Sequence, residues 1–144
     1  MEIKNIAWDS KFEIGVPRID FEHQIFADLI NILATKVSAQ KDAVSLSRTL
    51  REIIRYADFH FVSEENIMEE AGYPGIKEHT AIHRQLQHTL NERAMKLAAG
   101  DETPAELLRF LVDWFTHHTI VEDARISLYC KTIPAPMISP ATPT

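Results

Sequence analysis

After Asp20, apolar side chains recur at Phe21, Ile25, Leu29, Ile32, Leu33 and Val37, the mixed three- and four-residue steps that line one face of an α-helix. This stripe predicts a first helix over residues 19–39. A second runs over 42–71, with Leu46, Leu50, Ile53, Ile54, Ala57, Phe61 and Met68 inward, and Gly72, Pro74 and Gly75 stop it. A third stripe passes from Ile76 through Ile82, Leu86, Leu90 and Leu97 to Gly100. Asp101, Thr103 and Pro104 then supply a helix start. The fourth helix carries Leu107, Leu108, Leu111, Trp114, Phe115, Ile120, Val121, Ile126 and Leu128. Prolines at 134, 136, 140 and 143 forbid its continuation.

The first 16 residues show no helical period and are punctuated by Gly15 and Pro17, which predicts an extended arm anchored by Trp8 and Phe12. Four amphipathic helices with short connections predict an all-α, up-down-up-down antiparallel four-helix bundle. The expected division is a bundle domain over 1–131 and a flexible, proline-rich tail over 132–144.

Composition narrows the function. With 144 residues and no abnormal bias, the chain can bury a core without staples. Its net charge of −6 argues against a nucleic-acid partner, since phosphate binding needs clustered Lys and Arg. Cys130 is a lone cysteine, the N-terminus lacks an apolar signal segment, and no apolar run reaches about 18 residues. A cytoplasmic protein with no membrane insertion is expected.

Seven histidines change the picture. His60 and Glu64 form an HxxxE pair on the second helix, and His79 and His83 an HxxxH pair on the third. Residues four apart share a helix face. His23 lies near the start of the first helix, and the fourth carries His117 and His118 followed by Glu122 and Asp123. In an antiparallel bundle these helix ends meet at one end, so every helix can contribute to one site. Imidazole and carboxylate together suit a transition metal. Five histidines and two carboxylates exceed the four ligands of a zinc site, which points to a dinuclear centre. Neither ExxH nor HExxH occurs, so the di-iron oxidase and zinc protease patterns are absent. On the fourth helix, His117 with Glu122, His118 with Asp123 and His118 with Glu122 all remain open. His88 lies about 140° around the helix from His83 and is expected to face away.

Trp8, Gly15-Val16, Ile19-Asp20 with His23, HFVSEE at 60–65 with Met68, the Tyr73-Pro74 turn, HTAIH at 79–83, and Trp114 with His118 and Asp123 together resemble the bacterial hemerythrins, over about residues 8–129. The resemblance implies two iron ions joined by an oxo or hydroxo bridge, with dioxygen as ligand. It implies that His79, His83 and His118 hold one iron, that His23 and His60 hold the other, and that Glu64 and Asp123 bridge them. The family pattern WxxxHxxxxD selects His118 and Asp123, leaving His117 and Glu122 beside the site or in solvent.

Reversible oxygen binding also needs a dry pocket. Phe21, Phe26, Phe61, Trp114, Phe115 and Ile120 are its candidate lining, Phe26 standing where the family often has leucine. The implied function is an oxygen carrier, store or supplier, not an enzyme, as a monomer whose partners are dioxygen and an oxygen-consuming enzyme or a signalling protein. An oxygen or redox sensor, or a di-iron enzyme acting on peroxide or nitric oxide, is the alternative.

Overall fold

The computed structural model describes residues 5–130; the expected tail at 132–144 lies outside the described residues. Four rods form the bundle. α1 spans Pro17–Ser38, α2 Ala43–Ala71 and α3 Ile76–Ala98. The fourth rod is composite: α4, Pro104–His117, passes into a π-helical turn, His118–Asp123, and then into α5, Ala124–Cys130. α1 packs along α2, α2 along α3, and α4 closes the bundle against α1 and α3. No helix among the described residues is long and apolar enough to cross a membrane.

Local chemistry explains the boundaries. Pro17 does not break the first helix but opens it, because proline's missing N–H is harmless at the first helical position. Asp42 caps α2 by accepting from the Ser45 amide, and Gly72 ends it in the left-handed region, at φ +68°. Thr103 and Glu106 form a reciprocal capping box at the start of α4, behind Pro104.

The N-terminal arm is extended except for one 3-10 turn, Ser10–Phe12, capped by Asp9. Asn31 clamps the arm to α1, accepting from the Ile6 amide at 2.7 Å and donating to its carbonyl at 2.8 Å. Asp20 accepts from the amides of Ile14 and Gly15 at 2.7 and 3.1 Å. The anchors behave as expected: Trp8 stacks on Phe12, which packs against Phe115 with ring centres 5.7 Å apart.

Two hydrophobic clusters fill the interior. The larger contains Phe26, Ile30, Ile53, Phe61, Leu90, Leu108, Leu111 and Phe115. The smaller, made of Ile14, Val16, Ile19, Ile67, Met68, Ala71, Ile126 and Cys130, plugs one end. Each of α1, α2 and the fourth rod enters both clusters, and buried polar residues occupy the stretch between them.

Four residues expected on inward stripes are instead exposed: Phe21 (67%), Ile32 (47%), Val121 (37%) and Leu128 (67%). The buried face of α1 runs through Ile19, Glu22, His23, Phe26, Ile30 and Leu33. A stripe drawn through apolar positions alone passes over Glu22, which α1 buries beside His23, and so is rotated toward Phe21 and Ile32. In the fourth rod, the π turn shifts the register that had placed Val121 and Leu128 inward.

The Thr103 cap lies at the end of the bundle remote from the buried histidines. Thr103→Ala is expected to cost about 1 kcal/mol of unfolding free energy, read from urea melts, without altering metal uptake. An unchanged melt would show that the capping box contributes nothing to stability.

Candidate metal centre

Between the two clusters, His23, His60, Glu64, His79, His83, His118 and Asp123 converge, each at most 3% exposed. All seven sequence-predicted ligands thus share one buried site. Each occupies a polar interruption in an otherwise apolar helix face: His23 lies between Ile19 and Phe26, and Glu64 between Phe61 and Ile67.

The two carboxylates divide their oxygens between two sets of imidazoles. Glu64 Oε1 lies 2.7 Å from His79 Nε2 and 3.0 Å from His83 Nε2, while its Oε2 lies 3.2 Å from His60 Nε2 and 3.7 Å from His23 Nε2. Asp123 Oδ1 faces His79 and His118 at 3.0 and 3.1 Å, and its Oδ2 faces His23 at 2.9 Å. The donors therefore form two overlapping groups that could each hold a cation. One is Glu64, His79, His83, His118 and Asp123; the other is His23, His60, Glu64 and Asp123. A carboxylate common to both groups is the natural bridge between two hard cations, and imidazole supplies the borderline donors that transition metals favour.

Hydrogen bonding supports the fit. Both ring nitrogens of His23 and His118, both oxygens of Asp123, and Glu64 Oε2 are buried without a hydrogen-bond partner among the described residues. The imidazole nitrogens of His23, His79 and His118 stand 2.9–3.1 Å from the Asp123 oxygens, at ion-pair distance. A buried polar atom left unpaired costs about 1–3 kcal/mol, so this many at one point is hard to sustain in a purely structural cluster. A donor set arranged around cations has this geometry.

The site is electrostatically tense. Burial pushes the Glu64 carboxyl up, but the surrounding imidazoles overcome this and hold it well below the ordinary range. Asp123 is likewise lowered: burial and Glu64 oppose its ionisation, and His118 and His23 outweigh them. Burial disfavours charge on His60 and His79, yet their carboxylate neighbours push both up to about 10. Cations binding here take the place of protons on these rings.

The fourth rod resolves the choice that helical periodicity left open. Residues five apart on an α-helix point about 140° away from each other. In a π-helix the i→i+5 hydrogen bond brings such a pair onto one face. The π turn thereby directs both His118 and Asp123 inward. His117 is exposed, and Glu122 pairs with Arg125 at 3.3 Å. His88 also faces away, 74% exposed and paired with Glu92.

Aromatic rings wall one side of the site. Phe61 stacks on His83 with ring centres 3.9 Å apart, and Trp114 stacks on His118 at 4.6 Å. Phe26 meets His60 edge-on, and Phe115 meets His23 edge-on. Phe26, Phe61 and Phe115 are buried, Trp114 and Ile120 are half-buried, but Phe21 points to solvent and lines nothing.

Two residues escaped the sequence reading. Glu22 accepts from His60 Nδ1 at 2.9 Å and from Ser63 Oγ at 2.8 Å, and Glu65 accepts from His83 Nδ1 at 2.8 Å. A glutamate beside a candidate ligand reads by composition as an ordinary solvated position, so only the three-dimensional packing exposes these contacts.

His118→Ala is expected to weaken metal uptake by roughly 10–100-fold, while His117→Ala leaves it intact; metal content after anaerobic loading distinguishes them. The opposite pattern would move the fourth-rod ligand by one residue.

Comparison with known proteins agrees with this geometry. Residues 14–127 match the family described as the hemerythrin HHE cation binding domain. A bacteriohemerythrin of Stenotrophomonas maltophilia (strain R551-3) is 30% identical over 119 residues, covering 82% of this chain and 76% of the relative. One from Pseudomonas paraeruginosa (strain DSM 24068 / PA7) is 28% identical, covering 83% and 78%. The crystal structure of a wild-type hemerythrin superposes with a TM-score of 0.78 at 26% identity, covering 87% of this chain and 97% of that one. With its buried donor set held in a four-helix bundle and the family match extending over most of its length, the chain belongs to the hemerythrin family.

Proposed function

We propose that the chain binds dioxygen reversibly at a pair of iron ions and serves as an oxygen carrier, store or supplier rather than an enzyme. One observation carries this reading: Glu64 and Asp123 each turn one oxygen toward each of two imidazole groups, and the groups are unequal. One group offers three imidazoles, the other only His23 and His60. Fewer protein donors on the His23–His60 side leave room there for a small exogenous ligand. Bound as a ferrous pair, iron would supply the electrons that capture dioxygen and recover them on its release.

The chain's own residues do the rest. Glu64 and Asp123 hold the two positions at a fixed separation. The imidazole-rich shell carries only two carboxylates close to the centre, so it favours return to the reduced state more than a carboxylate-rich shell would. Phe26 and Phe115, edge-on to His60 and His23 and backed by Trp114 and Phe61, keep water and proton donors from the His23–His60 side, which reversibility requires. All seven donors come from one chain, so no second copy, nucleic acid or membrane is needed to complete the site. The supply of oxygen to a consuming enzyme in the cytoplasm is the role this reading favours.

The test is anaerobic loading with ferrous iron, followed by optical spectroscopy while oxygen is admitted and withdrawn. Repeated appearance and loss of an oxygen-dependent visible band is the expected result. A one-way change on the first exposure would replace storage by oxidation, sensing or turnover of peroxide or nitric oxide.

A further inference from the structure

Resting on the metal-centre reading, we infer that Glu22 and Glu65 are matched positioning residues, one for each cation position. Each, with a partner arginine, sets how tightly its position holds metal and which oxidation state it favours.

The two carboxylates occupy equivalent places in the site. His60 belongs to one donor group and His83 to the other. His60 Nδ1–H donates to Glu22 Oε1 at 2.9 Å, and His83 Nδ1–H donates to Glu65 Oε2 at 2.8 Å. Fixing the proton on Nδ1 leaves the Nε2 lone pair aimed inward, as metal ligation requires. Two of the remaining rings provide a contrast: Nδ1 of His23 and of His118 has no hydrogen-bond partner among the described residues. Each cation position therefore has one imidazole anchored by an anion.

Each anchor is itself tied to an arginine that reaches the surface. Arg18 Nε lies 3.3 Å from Glu22 Oε2, and Arg84 Nη2 pairs with Glu65 Oε1. The guanidinium side chains are 44% and 48% exposed. The result is two chains of the same order, Arg18–Glu22–His60 and Arg84–Glu65–His83, each running from solvent to one cation position. Ser63 adds a second hold on Glu22, and Gln87 links Arg84 to Asp58.

A full negative charge on the imidazole proton makes the ring a stronger donor and stabilises the more oxidised metal, and the arginine tempers that effect. The two chains should differ in strength. The Glu22 side chain is 7% exposed against 19% for Glu65, so solvent screens Glu22 less. Removing its charge should shift the centre more.

The test uses the intact chain and two readouts: ferrous equivalents bound by the metal-free protein, and midpoint potential of the loaded protein by anaerobic redox titration. Glu22→Gln and Glu65→Gln keep side-chain shape and are each expected to weaken one metal equivalent by roughly 10–100-fold. Both should also raise the potential, Glu22→Gln by more. Arg18→Gln and Arg84→Gln, at half-exposed positions, should lower the potential. Glu92→Gln, whose partner His88 faces solvent, is the control. Opposite signs for glutamate and arginine variants are what a merely structural role cannot produce. If the glutamate variants fail to fold, the arginine pair decides alone. A wild type holding two equivalents, with variants indistinguishable from the control, overturns the inference alone. A wild type that cannot hold two equivalents fails the metal-centre reading itself, and this inference with it.

Discussion

Two carboxylates, Glu64 and Asp123, fully enclosed in protein, are the constraint around which the rest is organised. An unpaired carboxylate in such a place would take up a proton or open the bundle to water, since burying an isolated charge is far more costly than the stability of a small domain. Here five imidazoles from all four rods crowd the same two groups. No rod can be withdrawn without stranding a charge, so the fold's polar heart and its function are one structure. The apolar clusters on either side act as jaws: the larger supplies most of the hydrophobic stabilisation, and the smaller seals the bundle end.

The site combines few carboxylates, each common to both imidazole groups, with aromatic walls. A tetrahedral structural site would need four donors and would close completely. Here Glu22 and Glu65 place anionic charge one bond network further out, behind His60 and His83, where its influence on the centre is moderated by arginine.

Much of this was legible from residue order because bundles translate sequence into space simply. Helix starts at Asp42 and at Thr103–Pro104, and the stop at Gly72, follow from single-residue chemistry that tertiary packing did not override. The pairs His60/Glu64 and His79/His83 lie one α-helical turn apart, and antiparallel packing brings them to one level. What could not be read had definite physical causes. The choice between Glu122 and Asp123 depends on a change of helix type at His118–Asp123 that leaves no mark in hydrophobic periodicity. Phe21 and Ile32 lie outside the buried face because α1 also buries Glu22, a position that a stripe of apolar residues does not mark. The contacts of Glu22 and Glu65 join residues 38 and 18 positions apart, beyond any local pattern.

The wide turn at His118–Asp123 bears on how such a chain could be remodelled. A tighter, regular spiral through this stretch would form more uniform backbone bonds and satisfy every rule of idealised helix design. Yet it would swing one of the two inward groups toward water and break the clasp. The irregularity is thus a local cost in backbone economy, and a designer who smooths it would obtain a sturdier rod and a looser grip.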